Sequence, residues 1–140
     1  MQKLILIRGV PGSGKSTLAK TLSLNAGTHH LEADMFFMIG GVYNFDATQL
    51  HYAYMWCQRK TKNYLSVGYD VIVSNTFTTK KELKPYFEIA SEYGIITQVI
   101  VCQNEFTNVH SVPDAALARM KERFTYDISS LFENKLETVE

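Results

Sequence analysis

The sequence predicts a three-layer α/β fold with a mostly parallel sheet of about four to five strands. Three observations point there. Short apolar runs alternate with helical stretches along the chain. The clearest run, Leu4–Ile7, is continuously apolar, as a strand buried on both faces requires. That run enters a helical stretch through a glycine-rich turn, Gly9 to Gly14.

Each element has its own reason. Leu4–Arg8 is the first strand, and Ser16 to about Asn25 is the first helix, ended near Gly27. His29–Ala33 reads as a second strand ending at Asp34. Residues 35–47 are aromatic and glycine-rich without a period, and Gly40-Gly41 marks a turn. Leu50, Ala53, Tyr54, Cys57, Thr61, Tyr64 and Leu65 recur at helical spacing until Gly68. Val71–Ser74 is the third strand. Thr79 and Glu82 form a capping box, and Leu83, Tyr86, Phe87 and Ala90 make a helical face up to Gly94. Pro85 sits awkwardly in that helix unless the helix proper begins there. Ile95–Cys102 is the fourth strand, and Pro113-Asp114 opens a last helix with Leu117, Met120 and Phe124 on one side. Residues 1–127 are expected to form one domain, with 128–140 a short tail that packs loosely or frays.

Composition narrows the function. The chain has 140 residues, enough for one core. Fourteen basic residues cancel fourteen acidic ones, so no global basic field advertises nucleic-acid binding. The apolar run near the start is too short for a signal peptide or membrane span, which leads to an expectation of a cytoplasmic protein. Cys57 and Cys102 are expected to be reduced core residues. The four histidines lack metal-ligand spacing and are read as structural or surface groups.

The chemistry begins at residues 9–17. Gly9, Gly14, Lys15 and Ser16 complete the G-x-x-x-x-G-K-[ST] pattern between a strand and a helix, the setting that this phosphate-binding loop needs. Glycines at 9, 12 and 14 let successive N–H groups turn inward. With the positive end of the following helix they make an anion site. Gly9, Pro11, Gly12, Ser13, Gly14, Lys15, Ser16 and Thr17 are therefore expected to bind the phosphates of a nucleotide, whose base this loop does not read. Lys15 would reach the β- and γ-phosphates, and the Ser16 hydroxyl would ligate Mg²⁺.

Other candidates come from the rule that parallel sheets bind ligands beyond the carboxyl ends of their strands. Asp34 is a candidate base for an attacking hydroxyl, or a holder of metal-bound water; the bland alternative is a turn or helix-cap aspartate. Ser74 stands where related loops carry a metal-shell aspartate, and would touch the metal only through water; a plain polar strand exit is the alternative. Arg119 and Arg123 share a helical face and are the candidates for stabilising transferred charge, against the reading of a solvated face. Met35–Met38 and the Tyr52, Tyr54, Trp56 series are candidate base-stacking groups, or core.

These blocks resemble the polynucleotide-kinase-like branch of P-loop kinases, which includes the bacteriophage polynucleotide kinase domain and small ATP-binding relatives described as AAA-family ATPases. The resemblance runs from Met1 to about Asp127. It rests on Gly9–Thr17, Ala33-Asp34-Met35-Phe36-Phe37, Tyr43-x-Phe45, the helix with Ala53, Trp56 and Gln58, Val71–Ser74 with Asn75-Thr76, Pro85-Tyr86, and His110–Pro113 followed by Arg119–Arg123. It implies a P-loop kinase-like fold, ATP as the donor, and a catalytic aspartate after the second strand. The family's paired aspartates are here Asp34 and Met35, its strand-three aspartate is Ser74, and residues 103–112 contain none of its lid arginines.

The leading expectation is a small kinase that passes the ATP γ-phosphate to a hydroxyl of a nucleotide, nucleic-acid end or other small acceptor. The alternatives are an ATP-binding regulatory module that has lost transfer, and a slow ATPase. The sequence names neither the acceptor nor an oligomeric state.

Overall fold

A computed structural model of the chain describes residues 1–104 and 112–132. Four parallel strands, β1 (Lys3–Arg8), β2 (Thr28–Leu31), β5 (Asp70–Asn75) and β6 (Ile96–Val101), form a sheet in the order β2-β5-β1-β6. Helices α1 (Lys15–Leu22), α2 (Leu50–Ser66), α3 (Lys80–Glu92) and α4 (Asp114–Arg123) connect or follow them. Strands β3 (Met38–Ile39) and β4 (Val42–Tyr43) form a separate antiparallel hairpin.

The alternation of side chains along the central strands divides the core in two. Ile5, Ile7 and Ile72 face α1 through Ala19. Leu4, Leu6, Val71 and Val73 face the opposite way, toward Ala53, Cys57 and Leu65 of α2 and Leu83, Phe87 and Ala90 of α3. Both faces are covered, which explains why Leu4–Ile7 reads as an unbroken apolar run. Both cysteines are free; Cys57 is buried, whereas Cys102 lies just past β6 and is only half-buried.

The elements differ from expectation at several places. Helix α1 ends at Leu22 rather than near Asn25. Strand β2 stops at Leu31, and residues Ala33–Phe37 turn into a 3₁₀ segment, so Asp34 lies in a turn and not at a strand end. The unpatterned stretch 35–47 holds the hairpin, whose Gly40 (φ 57°) and Gly41 (φ 80°) both take the left-handed conformation of a tight two-residue turn. Helix α3 begins at Lys80, with Pro85 inside it; the Thr79–Glu82 capping box fixes that start ahead of the proline. Residues 128–132 do not fray: Ile128, Leu131 and Phe132 pack on the core, and Phe132 meets Phe87 edge-on at 4.9 Å. The rest of the tail and residues 105–111, including His110 and most of the arginine-free segment, lie outside the described residues.

The polar end of β1 has a structural use. Arg8 is fully buried, and its guanidinium donates to the Phe77 carbonyl at 2.7 and 3.0 Å and to Thr78 at 3.3 Å. It also lies 4.1 Å over the Phe124 ring, joining the loop after β5 to the end of α4. Phe77 is the described non-glycine residue with positive φ, 46°.

Candidate functional site

The loop between β1 and α1 closes on itself tightly. Ser13 N donates to Val10 O at 3.1 Å, and Gly9 N donates to Thr76 O at 3.2 Å, which ties the loop to the end of β5. Gly14, at φ 89°, caps α1 without a side-chain hydrogen bond, so the first-turn amides of α1 remain available to an anion. Gly9 is required by space: a Cβ there would meet the Ser13 hydroxyl and stand 2.8 Å from the Cys102 carbonyl.

The segment after β2 is pinned against this loop. Asn75, the last residue of β5, accepts from the Ala33 amide through Oδ1 at 2.9 Å. That bond starts the 3₁₀ turn and sets Asp34 toward the loop. The Tyr43 hydroxyl of the hairpin donates to Asp34 Oδ1 at 3.3 Å.

Between Asp34 and β5 lies Glu32, which the sequence reading did not single out. Its side chain is 17% exposed. Ser74, 2% exposed, donates to Glu32 Oε1 at 2.9 Å, and the Ser16 hydroxyl also bonds to this carboxylate. His30 Nε2 lies 2.7 Å from Ser74 Oγ and 3.3 Å from Glu32 Oε1. Because Ser74 spends its proton on Glu32, His30 is the donor to Ser74. Burial acts to raise the Glu32 carboxyl, but hydrogen bonds from His30, Ser16 and Ser74 outweigh it and bring it down to about 2. Burial lowers the Lys15 ammonium, while Glu32 and then Asp34 act against that shift. Glu32 and Asp34 are two apart, a spacing that would put both on one side of the strand expected to end at Asp34, although the structure turns at Ala33. That acidic pair was the available signal.

These groups line one cleft of about 500 Å³. Lys15, Ser16, Glu32, Asp34, Ser74 and Asn75 supply its polar lining, with Pro11 beside them. Tyr43, Phe45, Leu50, Tyr54 and Met120 form an apolar wall. The Tyr43 and Phe45 rings are nearly parallel, at 17°, with centroids 6.4 Å apart. Of the aromatic candidates, Tyr54 reaches the cleft; Phe37 is buried in the core, and Phe36 and Trp56 pack on it. Arg119 and Arg123 are exposed on α4 and stand outside the cleft lining, where Met120 is the helix's contribution. The charge of Arg123 nonetheless reaches the Tyr54 hydroxyl. Met35 is likewise absent from the lining.

The oxygen-rich lining suits a hard divalent cation. Among the described residues, no group of three or more His, Cys, Asp or Glu side chains is arranged to hold a metal alone. A cation here would therefore share its ligands with phosphate oxygens. Also among the described residues, no helix is long and apolar enough to cross a membrane.

Comparison with known proteins matches residues 4–109 to the family described as AAA domain. The chain is 32% identical over 137 residues to human NEDD4-binding protein 2, covering 90% of this chain and 8% of that protein's length. The fold is similar to one in the Pnkp1/Rnl/Hen1 complex (TM-score 0.61, 21% identity, 84% of this chain and 38% of that one). It is also similar to the Mycobacterium tuberculosis APS kinase CysC, solved with AMPPNP and APS (TM-score 0.57, 18% identity, 89% and 79%). The architecture is that of P-loop kinases.

Proposed function

This chain belongs to the AAA-domain family, and from that premise we propose that it is a small ATP-dependent kinase acting on a hydroxyl-bearing acceptor. The observation that carries the reading is that Lys15 and Asp34 face one cleft with room for a second substrate beside the phosphate loop. ATP lies with its phosphates on residues 9–17. Ser16 would hold Mg²⁺ together with phosphate oxygens, and the ion would supply charge neutralisation at the transferred group. Lys15 holds the β- and γ-phosphates. The acceptor hydroxyl sits against Asp34, which takes its proton as the new O–P bond forms and the bond between the γ-phosphorus and the ADP oxygen breaks. Arg123 and Arg119, on the helix that brings Met120 to the cleft, are the cations that would move in to offset charge during transfer.

The acceptor class is a nucleoside, a nucleic-acid end or another small alcohol, with the wall of Tyr43, Phe45 and Tyr54 favouring a flat or apolar body. A nucleotide-binding module without transfer is the rival reading, supported by the neutral Ser74 on β5. One experiment separates them: ADP release with Mg²⁺, alone and with nucleosides and 5′-hydroxyl oligonucleotides, against Lys15→Ala as the blank. Acceptor-dependent release supports the kinase. ATP binding without release supports the module. Unchanged ATP affinity in Lys15→Ala, where a loss of about 10- to 100-fold is expected for a charge-assisted contact, refutes both.

A further inference from the structure

Ser74 leaves β5 without a negative charge at the site, yet the hydroxyls of Ser74 and Ser16 converge on one carboxylate, that of Glu32. We propose that Glu32 is the outer-sphere carboxylate of the nucleotide's metal ion, supplying from the end of β2 the charge that β5 lacks. The assignment rests on the nucleotide-binding reading above.

Three features support it. First, by taking the Ser16 proton, Glu32 leaves the lone pairs of that hydroxyl for a cation and makes the oxygen a stronger donor, the usual work of a second-sphere group. Second, the carboxylate is itself held: Ser74 donates to it, and His30 in turn donates to Ser74. A group needed only to fill space at a strand end would not require such a scaffold. Third, Glu32, Ser74 and Ser16 line the cleft beside Lys15, where a triphosphate's cation must sit if Lys15 and Ser16 hold the same phosphates. Ser74 is then a positioning residue that orients Glu32.

The test uses the intact chain and reads metal dependence apart from turnover. The affinity for a fluorescent ATP analogue is measured with Mg²⁺ and with chelator, and Mn²⁺ binding to the ATP complex is followed by electron paramagnetic resonance. Glu32→Gln keeps shape and removes charge. It is expected to leave metal-free binding unchanged or slightly tighter and to weaken Mn²⁺ affinity about tenfold or more. Adding Ser74→Asp to Glu32→Gln returns the carboxylate to β5 and is expected to restore most of that loss, which a merely structural role for Glu32 would not permit. Glu32→Asp, which keeps the charge on a shorter arm, should fall between and serves if the glutamine variant does not fold. Full metal affinity in Glu32→Gln, or in a folded Glu32→Asp/Ser74→Ala pair, overturns the assignment alone. A wild-type chain that binds no ATP in either condition overturns the nucleotide reading and the assignment with it.

Discussion

Replacing Gly9 by alanine should damage the site by a mechanism whose size can be worked out. The new methyl would collide with the Ser13 hydroxyl and lie 2.8 Å from the Cys102 carbonyl, where ordinary contact begins at 3.4 Å. The serine hydroxyl can rotate away, but the Ser13 Cβ, 3.1 Å from the new methyl, cannot. The carbonyl cannot do so freely, because the neighbouring Cys102 amide is bonded to Arg8 O at 2.8 Å. The ends of β1 and β6 must therefore part by about 0.6 Å, the difference between those two contact distances. Overpacking of this kind costs about 1–3 kcal/mol. For a chain of this length that lowers Tm by about 3–10 °C. ATP affinity should fall as well, since displacing the backbone at residue 9 strains the bond from its amide to Thr76 O that ties the loop to β5. The assay is thermal unfolding by circular dichroism with ATP titration, on Gly9→Ala and on Gly9→Ala/Ser13→Gly. The double variant removes the serine clash and should recover less than half of the loss. A Gly9→Ala protein with unchanged Tm and unchanged ATP affinity would show that β1 and β6 do not approach as described.

Two further substitutions address the chemistry. Asp34→Asn keeps the size of the side chain and removes the proton acceptor, so acceptor-dependent ADP release should fall by about 10²- to 10⁴-fold while ATP affinity holds, as read by coupled ADP assay and titration. Met35→Asp should bring no gain in that release, because Asp34 and not position 35 lines the cleft; a rise of tenfold or more would mean that residue 35 can reach the acceptor.

What the sequence reveals depends on how local the cause is. The phosphate loop is legible because its glycines and lysine act through backbone geometry within nine residues, 9–17. The continuous apolar strands are legible because burial on two faces imposes composition directly, and the capping box at Thr79 because both partners lie within one turn. Glu32 was not read, since its meaning comes from Ser74 and Ser16, 42 and 16 positions away, which only the sheet brings beside it. The same holds for Asn75, whose bond to the Ala33 amide places Asp34. Arg8 is a further case: that an arginine ending the first strand is buried follows only from the Phe77 carbonyl and the Phe124 ring, 69 and 116 positions away, which the fold brings to it. The stretch 35–47 gave no period because two 3₁₀ turns and a two-residue-strand hairpin are each too short to repeat one.

The strand order has a consequence for how the protein is made. Strand β1 sits between β5 and β6, so Leu4 pairs with Val71, 67 residues later, and Lys3 with Ile96, 93 residues later. Strand β2, which follows it soonest, pairs with β5 instead. At ribosomal rates, 93 residues take about 5–20 s to appear. For the first 67 of those residues this central strand has neither lateral neighbour, and until the last of them it has β5 alone. Its backbone edges and the side chains Leu4–Ile7 lack their full native cover in that time, and the sheet cannot close until β6 has left the ribosome.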